Sequence, residues 1–332
     1  MRIRYLQAPM THHALLGFRQ LLHNPESYQD LSKIIIESQK LFSHDPGLIF
    51  AVAVCGDNPF PFLQSEKLLD KVSYLDVSSH SSSPANCAQM SKDLFKPGSK
   101  NIVILYYDSK KRGLTFPFAF LTEFSILLNV DLVGLSDSDF QIPYSAIKRS
   151  YLDAKEKISE LNTPVLYLPR RSHRSLELEG YPINRFAMED IENAYYWVVT
   201  KRVDRFKNLD LQSGLCFLNR AACLILDFSK TGVWTGAIDT PIQIKQHKGD
   251  VVEGIIIDTN PQNISTISPD IQFKKIKELE DLYGCPLGQL IDFALHHPEC
   301  LMDDWAKYLR QEERKMILDK ILYEYGNYQS KA

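Results

Sequence analysis

Residues 132–143, L-V-G-L-S-D-S-D-F-Q-I-P, decide how this sequence is interpreted. A mostly apolar stretch at residues 130–135 follows an amphipathic stretch at residues 118–128. This order predicts a helix, a tight turn and a buried strand. Asp137 and Asp139 then lie at the carboxyl end of that strand, the edge at which open α/β sheets bind ligands.

Two carboxylates at this position indicate a metal site. Alternation along an extended chain places Asp137 and Asp139 on the same side, so both can reach one hard cation. Such a cation keeps some water ligands and takes others from a diphosphate. The alternative is that Asp137 caps a turn and Asp139 caps a helix that starts near Pro143.

The same segment resembles a known family. S-D-S-D-F-Q-I-P resembles the metal-binding segment of family 2 GT-A glycosyltransferases, especially the polyprenyl-phosphate sugar synthases, whose pattern is Asp-x-Asp-x-Gln-x-Pro. Gln141 and Pro143 complete the match. The resemblance covers roughly residues 45 to 260 and implies an α/β fold of the GT-A type, a Rossmann-like mixed sheet flanked by helices.

Upstream segments follow in the family's order. Residues 48–55, L-I-F-A-V-A-V-C, predict a strand, and Asp57 follows it at a position similar to the acidic residue that receives the nucleotide base or ribose. The segment D-S-K-K-R-G resembles the family's basic loop before the donor-site helix, and it contains Arg112. The resemblance therefore implies nucleotide-sugar binding by Asp57, Arg112, Asp137 and Gln141.

Downstream, residues 163–168 predict another strand, and Arg170 and Arg171 follow it directly. Their position is similar to that of the arginine ending the corresponding strand of the synthases. An arginine pair at a strand end suits a diphosphate, because guanidinium groups bind phosphate oxygens in a bidentate manner. The alternative is a solvated basic turn.

Two later segments also resemble the family. Residues 210–222 resemble its Asp-x-x-Ser-Gly-Phe segment, and Gly214 supplies the tight backbone there. Residues 234–254 resemble its Trp-x-x-Asp-Thr-Glu helix, although Pro241 replaces the expected glutamate. Asp239 occupies the acidic position, which implies that it is the catalytic base of an inverting transfer. The alternative is a helix N-cap ahead of Pro241.

Composition is that of a soluble enzyme. The 332 residues carry a formal net charge of −3, which argues against a general nucleic-acid binder. No stretch approaches the roughly 20 apolar residues needed to span a bilayer, and the amino terminus lacks the apolar core of a signal peptide. We therefore expect a cytoplasmic protein without a transmembrane segment. The six cysteines show no Cys-x-x-Cys pair and are expected to be reduced and structural.

The chain divides into two predicted parts. Residues 1–260 form the GT-A domain, which opens with a strand at residues 3–6 and a helical region through residue 41. Residues 261–332 form a helical extension with leucine and isoleucine spaced three or four apart. An apolar stripe on its last helix is expected to pack on the catalytic part, the alternative being contact with a membrane or a partner. The stripe comprises Trp305, Tyr308, Leu309, Met316, Ile317, Ile321 and Leu322.

The predicted function is transfer of a sugar from a nucleotide-diphosphate-sugar donor to a soluble or lipid-linked acceptor, with inversion and with Mg or Mn bound by Asp137 and Asp139. Two other classes stay open. One is a catalytically inactive GT-A-like domain that serves as an interaction module. The other is a sugar nucleotidyltransferase, which should show a glycine-rich, lysine-bearing loop after its first strand.

Overall fold

The computed structural model describes residues 13–42, 45, 47–79, 83–94, 101–108, 113–137, 142–172, 183–201, 209–211, 213–259, 269–297 and 311–330. The strands are β1 (Ala14–Leu22), β2 (Leu48–Gly56), β3 (Ser73–Asp76), β4 (Ile102–Tyr106), β5 (Leu132–Asp137), β6 (Val165–Arg171), β7 (Leu215–Asn219) and β8 (Asp250–Ile257). The helices are α1 (Pro25–Phe42), α2 (Phe60–Ser65), α3 (Pro84–Leu94), α4 (Thr115–Leu128), α5 (Tyr144–Ile158), α6 (Ile183–Thr200), α7 (Arg220–Cys223), α8 (Gly236–Gln246), α9 (Pro269–Tyr283), α10 (Leu287–His296) and α11 (Gln311–Gln329).

The strands form one mixed sheet in the order β3-β4-β2-β1-β5-β7-β6-β8. β7 runs antiparallel to β5 and β6, whereas the other described pairings are parallel. The chain leaves β1 toward β2 on one side and leaves β5 toward β6 on the other. The boundary between β1 and β5 is therefore the topological switch point, outside whose carboxyl ends open α/β sheets form a ligand crevice.

Helices cover both faces of the sheet, which explains why its central strands read as continuous apolar runs. Successive residues alternate between two apolar clusters, as Leu15 and Leu16 of β1 do. One cluster contains side chains of α1 and α5. The other contains side chains of α3, α4, α6, α8 and the carboxy-terminal helices. The predicted α/β class, a mixed sheet flanked by helices with a carboxy-terminal helical extension, is confirmed.

The predicted helix and strand around Asp137 are confirmed by α4 and β5, but the prediction for the amino-terminal region was wrong. Residues 14–22 form β1, not the beginning of a long helix, and α1 begins only at Pro25. Their leucines fit a helical period, yet pairing with β2 and β5 buries both faces of the segment. Tertiary pairing therefore overrides the local periodicity. The predicted strand at residues 3–6 lies outside the described residues.

The carboxy-terminal helices pack against α6. The Tyr195 hydroxyl donates to the backbone carbonyls of Ile276 (3.4 Å) and Cys285 (3.0 Å). Lys275 and Glu192, both buried, form an ion pair of 2.7 Å. Because α9 shares the apolar cluster of the sheet, the extension covers the α/β part as the sequence favoured. The boundary at residue 260 stays a prediction.

The final helix packs part of the predicted stripe on the core: Ile317 and Ile321 contact the apolar cluster, whereas Met316 and Leu322 do not. Ile321 is buried together with Leu318 and Tyr325, whereas Met316 is 72% exposed and Leu322 is 39% exposed. The first three members of the predicted stripe lie outside the described residues. Within the described ranges, no helix is both long enough and apolar enough to cross a membrane.

The described cysteines agree with the structural role predicted for them. Cys55, Cys87, Cys216, Cys223 and Cys285 are all buried free thiols. Burial raises the pKa of both Cys216 and Cys223 to about 12. A thiol with so high a pKa carries almost no thiolate at neutral pH and is a poor nucleophile. The sixth cysteine, at position 300, lies outside the described residues.

Candidate functional site

An arginine and an aspartate meet at the switch point. Arg19 of β1 is the register partner of Asp137, the last residue of β5. The Arg19 Nε donates to the Asp137 Oδ1 at 2.8 Å, and the two side chains are 28% and 30% exposed. Charges that are this accessible at the carboxyl edge of a sheet can contact a ligand.

The loop before β7 supports Asp137 from the other side. The Asp137 backbone N–H donates to the Gly214 carbonyl at 3.2 Å. Gly214 has φ of +74°, the left-handed region that glycine tolerates best, so the predicted tight backbone is confirmed. A Cβ at this position would lie 3.9 Å from the Asp137 Oδ2. The loop thus approaches the carboxylate closely.

A buried tyrosine lies beside this pair. Tyr107 follows β4, is 1% exposed and stacks on Phe116 with ring centroids 4.8 Å apart. Burial, with a further contribution from neighbouring Cys55, holds the pKa of the Tyr107 phenol well above its usual value. The charge of Arg19 lowers the pKa of this phenol, and the charge of Asp137 raises it. Tyr107 therefore lies near the Arg19–Asp137 pair at the carboxyl edge of the sheet.

Asp57 lies at the same edge, one strand beyond β1. Its backbone N–H donates to the Leu22 carbonyl at 3.1 Å, which joins the ends of β1 and β2. Gly56 makes this approach possible: its φ is +103°, and a Cβ there would lie 2.1 Å from the Leu22 oxygen. β2 and β5 both pair with β1, and Ala53, not Asp57, is level with Arg19 and Asp137. Asp57 and Asp137 are therefore two strand spacings apart across the sheet, about 10 Å, and four residues apart along it, about 13 Å, which separates their Cα atoms by roughly 16 Å.

Tyrosines surround Asp57. The Tyr106 hydroxyl donates to the Gly56 carbonyl at 2.9 Å. Burial and then the Asp57 charge raise the pKa of Tyr28 above its usual value. The pKa of Tyr106 is also above its usual value, because of burial first and then the charges of Asp76 and Asp57. The region therefore combines exposed carboxylates with aromatic rings.

The aromatic pair of Tyr74 and Phe60 lies near these tyrosines. The rings of Tyr74 and Phe60 lie 5.4 Å apart, and the Tyr74 hydroxyl donates to the Asn58 side chain at 3.0 Å. Flat rings next to hydrogen-bonding groups suit a heterocyclic base, because stacking needs only a π-face. The sequence analysis did not identify these rings: Tyr74 lies within β3, and Phe60 begins α2 shortly after the end of β2.

The two predicted arginines lie in different environments. Arg171 is buried, and its Nε and Nη2 each donate to Asp210 at 2.7 Å, while Nη2 also donates to Glu189 at 2.9 Å. This arrangement holds the loop before β7, so it gives no support to diphosphate binding by Arg171. Arg170 is 17% exposed and contacts Glu253 of β8 at 3.4 Å.

Asp239 is buried and accepts three hydrogen bonds. The Thr231 and Tyr283 hydroxyls donate to it, as does the Gln243 Nε2 at 2.7 Å. Burial and then the Asp239 charge raise the pKa of Tyr283 above its usual value. Thr235 holds the N-cap position of α8, so Asp239 lies in the first turn rather than at the cap. Its contacts join α8 to α9.

The remaining predicted site residues, Arg112, Asp139 and Gln141, lie outside the described residues. Among the residues that the structure describes, no three His, Cys, Asp or Glu side chains gather into a metal-binding group. Asp137 still fits Mg or Mn in chemistry and position, because it offers a partly exposed carboxylate at a strand end. In the described part of the chain, the first ligand shell would therefore consist of Asp137, water and donor phosphate.

Comparisons with known proteins give limited information. No protein-family model matches the sequence, and no curated protein matches it. Among solved structures, the chain is similar to a protein from Desulfovibrio desulfuricans G20 that is assigned as a nucleotide-diphospho-sugar transferase. The match has 8% identity, covers 81% of this chain and 97% of the other, and has a TM-score of 0.32. A likeness of this strength carries no argument about function.

Proposed function

We propose that this protein is a glycosyltransferase that transfers a sugar from a nucleotide-diphosphate-sugar donor to an acceptor, with inversion. One observation supports the proposal most: Asp57 and Asp137 flank β1 at the carboxyl edge of the parallel part of the sheet, next to its topological switch point. A crevice at this position is where an α/β sheet binds a nucleotide.

The side chains suggest how the donor lies. The base and ribose contact Asp57 and the rings of Tyr28, Tyr74 and Tyr106. The diphosphate then lies toward Asp137, whose Cα is roughly 16 Å from that of Asp57, a separation set by two strand spacings and four residues of strand. On the resemblance, Arg112 and Gln141 also contact the donor.

Asp137 and Asp139 are the proposed holders of Mg or Mn. When bound, the metal would offset the charge that develops on the departing diphosphate. The contribution of the chain is to fix the backbone of Asp137, through the pairing of β5 with β7 and the hydrogen bond from the Asp137 N–H to the Gly214 carbonyl. Such pre-positioning keeps the ligand geometry from relaxing when the donor arrives.

Asp239 is the proposed base on the resemblance alone. A base must reach the acceptor proton directly or through one water. The buried carboxylate of Asp239 already accepts hydrogen bonds from Thr231, Gln243 and Tyr283, so it could act only if one of these donors moved away. Its contacts support a second role, that of fixing α8 against α9 beside the crevice.

The acceptor is a soluble or lipid-linked molecule, and the protein is proposed to be cytoplasmic. The carboxy-terminal helices would influence acceptor access indirectly, through the segment before α8. Glu278 of α9 accepts the Trp234 backbone N–H at 2.9 Å, and the Val233 carbonyl accepts the Leu114 and Thr115 N–H groups at the start of α4. The helical extension thus holds a loop next to the amino end of α4.

An inactive GT-A-like interaction module is the second candidate. It is favoured by the buried contacts of Arg171 and Asp239. These contacts already occupy the side chains that were predicted to bind the diphosphate and to act as the base. The third class, a sugar nucleotidyltransferase, is disfavoured by the connection between β1 and α1. Only His23 and Asn24 separate these elements, which leaves no room for a glycine-rich phosphate loop.

Metal-dependent donor hydrolysis tests the proposal. The full chain is incubated with Mn or Mg and a panel of nucleotide sugars, and release of nucleoside diphosphate is measured for the wild type, Asp137→Asn and Asp139→Asn. We expect each variant to lose turnover by about 10²-fold or more, the scale seen when one electrostatic contact to the transition state is removed.

Arg220→Gln serves as the control, because it alters a charged side chain at the opposite, amino-terminal edge of β5. It should keep wild-type turnover. Near wild-type activity of either aspartate variant at saturating metal would refute the metal assignment. Absence of both donor binding and turnover in the wild-type protein would favour the inactive module.

A further inference from the structure

The Arg19 side chain is placed so that it competes with a metal for Asp137. β1 is otherwise apolar over most of its length, with Phe18 buried directly before the arginine. Alternation places Arg19 on the face that bears α4, together with Cys55 and Asp137. The guanidinium therefore meets the carboxylate at the point where the resemblance expects a divalent cation.

The contact has electrostatic consequences for both groups. A guanidinium 2.8 Å from Asp137 Oδ1 neutralises much of the carboxylate charge. A divalent cation approaching the same carboxylate would meet a like charge a few ångströms away, so its affinity falls. The guanidinium must therefore leave, or gain a new anionic partner, for the metal to bind well.

A diphosphate is a suitable new partner. Guanidinium groups bind phosphate oxygens through paired hydrogen bonds, in the same fork geometry that they use for carboxylates. Tyr107, which is buried and stacks on Phe116, is influenced by both charges of the pair, and Arg19 faces the apolar cluster under α4, so an inward movement of the guanidinium is unfavourable. The accessible alternative is outward, into the crevice at the switch point where the donor diphosphate would lie.

We propose that Arg19 is an internal counter-ion of Asp137 that is exchanged on donor binding, so that the diphosphate takes the guanidinium and the metal takes the carboxylate. This inference rests on the proposed function, since it assumes a nucleoside diphosphate ligand. Metal and nucleotide then bind with positive coupling, and each has lower affinity alone. Arg19 becomes a ligand of the donor, although sequence analysis gave it no role.

Binding measurements on the full chain test this exchange without relying on turnover. Mn²⁺ affinity is measured by electron paramagnetic resonance of the free ion, with and without a nucleoside diphosphate selected from a panel, and the Mn²⁺ that the nucleotide binds in protein-free solution is measured separately and subtracted. The wild type should bind Mn²⁺ about tenfold more tightly when the nucleotide is present, a coupling of ordinary size. Arg19→Gln should bind Mn²⁺ alone about tenfold more tightly than the wild type and should gain less from the nucleotide, because only the direct contact between metal and phosphate remains.

Three further variants sharpen the result. Arg19→Lys keeps a cation near Asp137 but lacks the planar guanidinium. Its affinity for Mn²⁺ without nucleotide should therefore stay as low as that of the wild type, and its affinity for the nucleotide should be lower. Asp137→Asn should lose Mn²⁺ binding under both conditions. Arg220→Gln, the control at the opposite edge, should behave as the wild type does.

Circular dichroism and melting temperature first establish that each variant is folded. If Arg19→Gln does not fold, Arg19→Lys decides the question, and wild-type coupling in that variant overturns the exchange. Equal Mn²⁺ affinities of the wild type and a folded Arg19→Gln also overturn it. If nucleoside diphosphates bind but replacing Arg19 changes neither Mn²⁺ affinity nor its coupling to the nucleotide, the exchange is wrong and the proposed function stands. If no nucleoside diphosphate binds to any of the proteins, the proposed function is wrong as well.

Discussion

The switch-point crevice and the region around α6 and α9 use the same charged residue types in opposite ways. In the crevice, Arg19 and Asp137 form an ion pair with about a third of each side chain exposed. Near α6, Arg171, Asp210 and Glu189 form a network in which each side chain is 6% exposed or less. The partly exposed pair can exchange its partners for a ligand, whereas the buried network can only be broken.

This difference explains which predicted residues are good ligand candidates. A buried charge that loses its partner costs several kcal/mol, because no water replaces the lost contact. A partly exposed pair contributes little to stability and is therefore free to serve binding. By this criterion Asp57, Asp137 and Arg19 belong to the candidate site, and Arg171 belongs to the scaffold.

The largest expected effect comes from deleting residues 269–332. Removal of α9 to α11 exposes the apolar surface of α6, including Tyr195 and Trp197, and leaves Glu192 and Asp239 without Lys275 and Tyr283. We expect a truncated chain that aggregates, as judged by size-exclusion chromatography. A monomeric truncated protein that still bound nucleotide would show that the two regions are independent.

Replacement of Arg171 should have the next largest effect. Arg171→Ala leaves Asp210 and Glu189 as buried carboxylates without their guanidinium, which should lower the free energy of unfolding by about 3–5 kcal/mol. Urea denaturation measures this loss. Arg171→Lys is the informative second variant, because it retains the charge but cannot make the bidentate contact with Asp210. A stable Arg171→Ala protein that had lost nucleotide affinity would indicate that Arg171 binds the donor.

Three of the eight described strands, β2, β5 and β6, were predicted from sequence, because each is a short apolar run that ends in polar residues. No strand was assigned at β3, β4, β7 or β8, whereas the helix between residues 118 and 128 was predicted from its amphipathic pattern. β1 was not predicted, since its leucines fit a helical period and only pairing with β2 and β5 makes it a strand. That error also hid Arg19, whose position opposite Asp137 depends on the register of the two strands.

The candidate site was predictable only in part for a related reason. Motif spacing located Asp57 and Asp137 at strand ends, because strand ends are marked by local sequence. Whether an arginine is exposed or buried depends instead on distant segments: Arg171 meets Asp210, 39 positions away. The same holds for Asp239, whose partner Tyr283 comes from the helical extension.

A smaller effect is expected at the junction between α8 and α9. Asp239→Asn replaces a carboxylate that accepts three hydrogen bonds by an amide, and should cost about 2 kcal/mol of unfolding free energy. Tyr283→Phe removes one of the donors and should cost about 1–2 kcal/mol. A double-mutant cycle gives the coupling between the two. If Asp239 is also the base, Asp239→Asn should lose turnover far beyond Tyr283→Phe at temperatures where both are folded.

The smallest effect on stability is expected for Arg170→Ala, and it sharpens the comparison at two consecutive residues. The contact of Arg170 with Glu253 is long and involves a half-exposed carboxylate, so the loss of this ion pair should change the free energy of unfolding by no more than about 0.5 kcal/mol. If Arg170 contacts the donor diphosphate, the affinity of the Arg170→Ala protein for a nucleoside diphosphate should be about tenfold lower than that of the wild type, while its affinity for the nucleoside stays unchanged. Isothermal titration calorimetry measures both. Equal losses for the two ligands would mean that Arg170 affects the fold of the crevice and not the phosphate, and Arg19 would then be the better candidate for the diphosphate ligand.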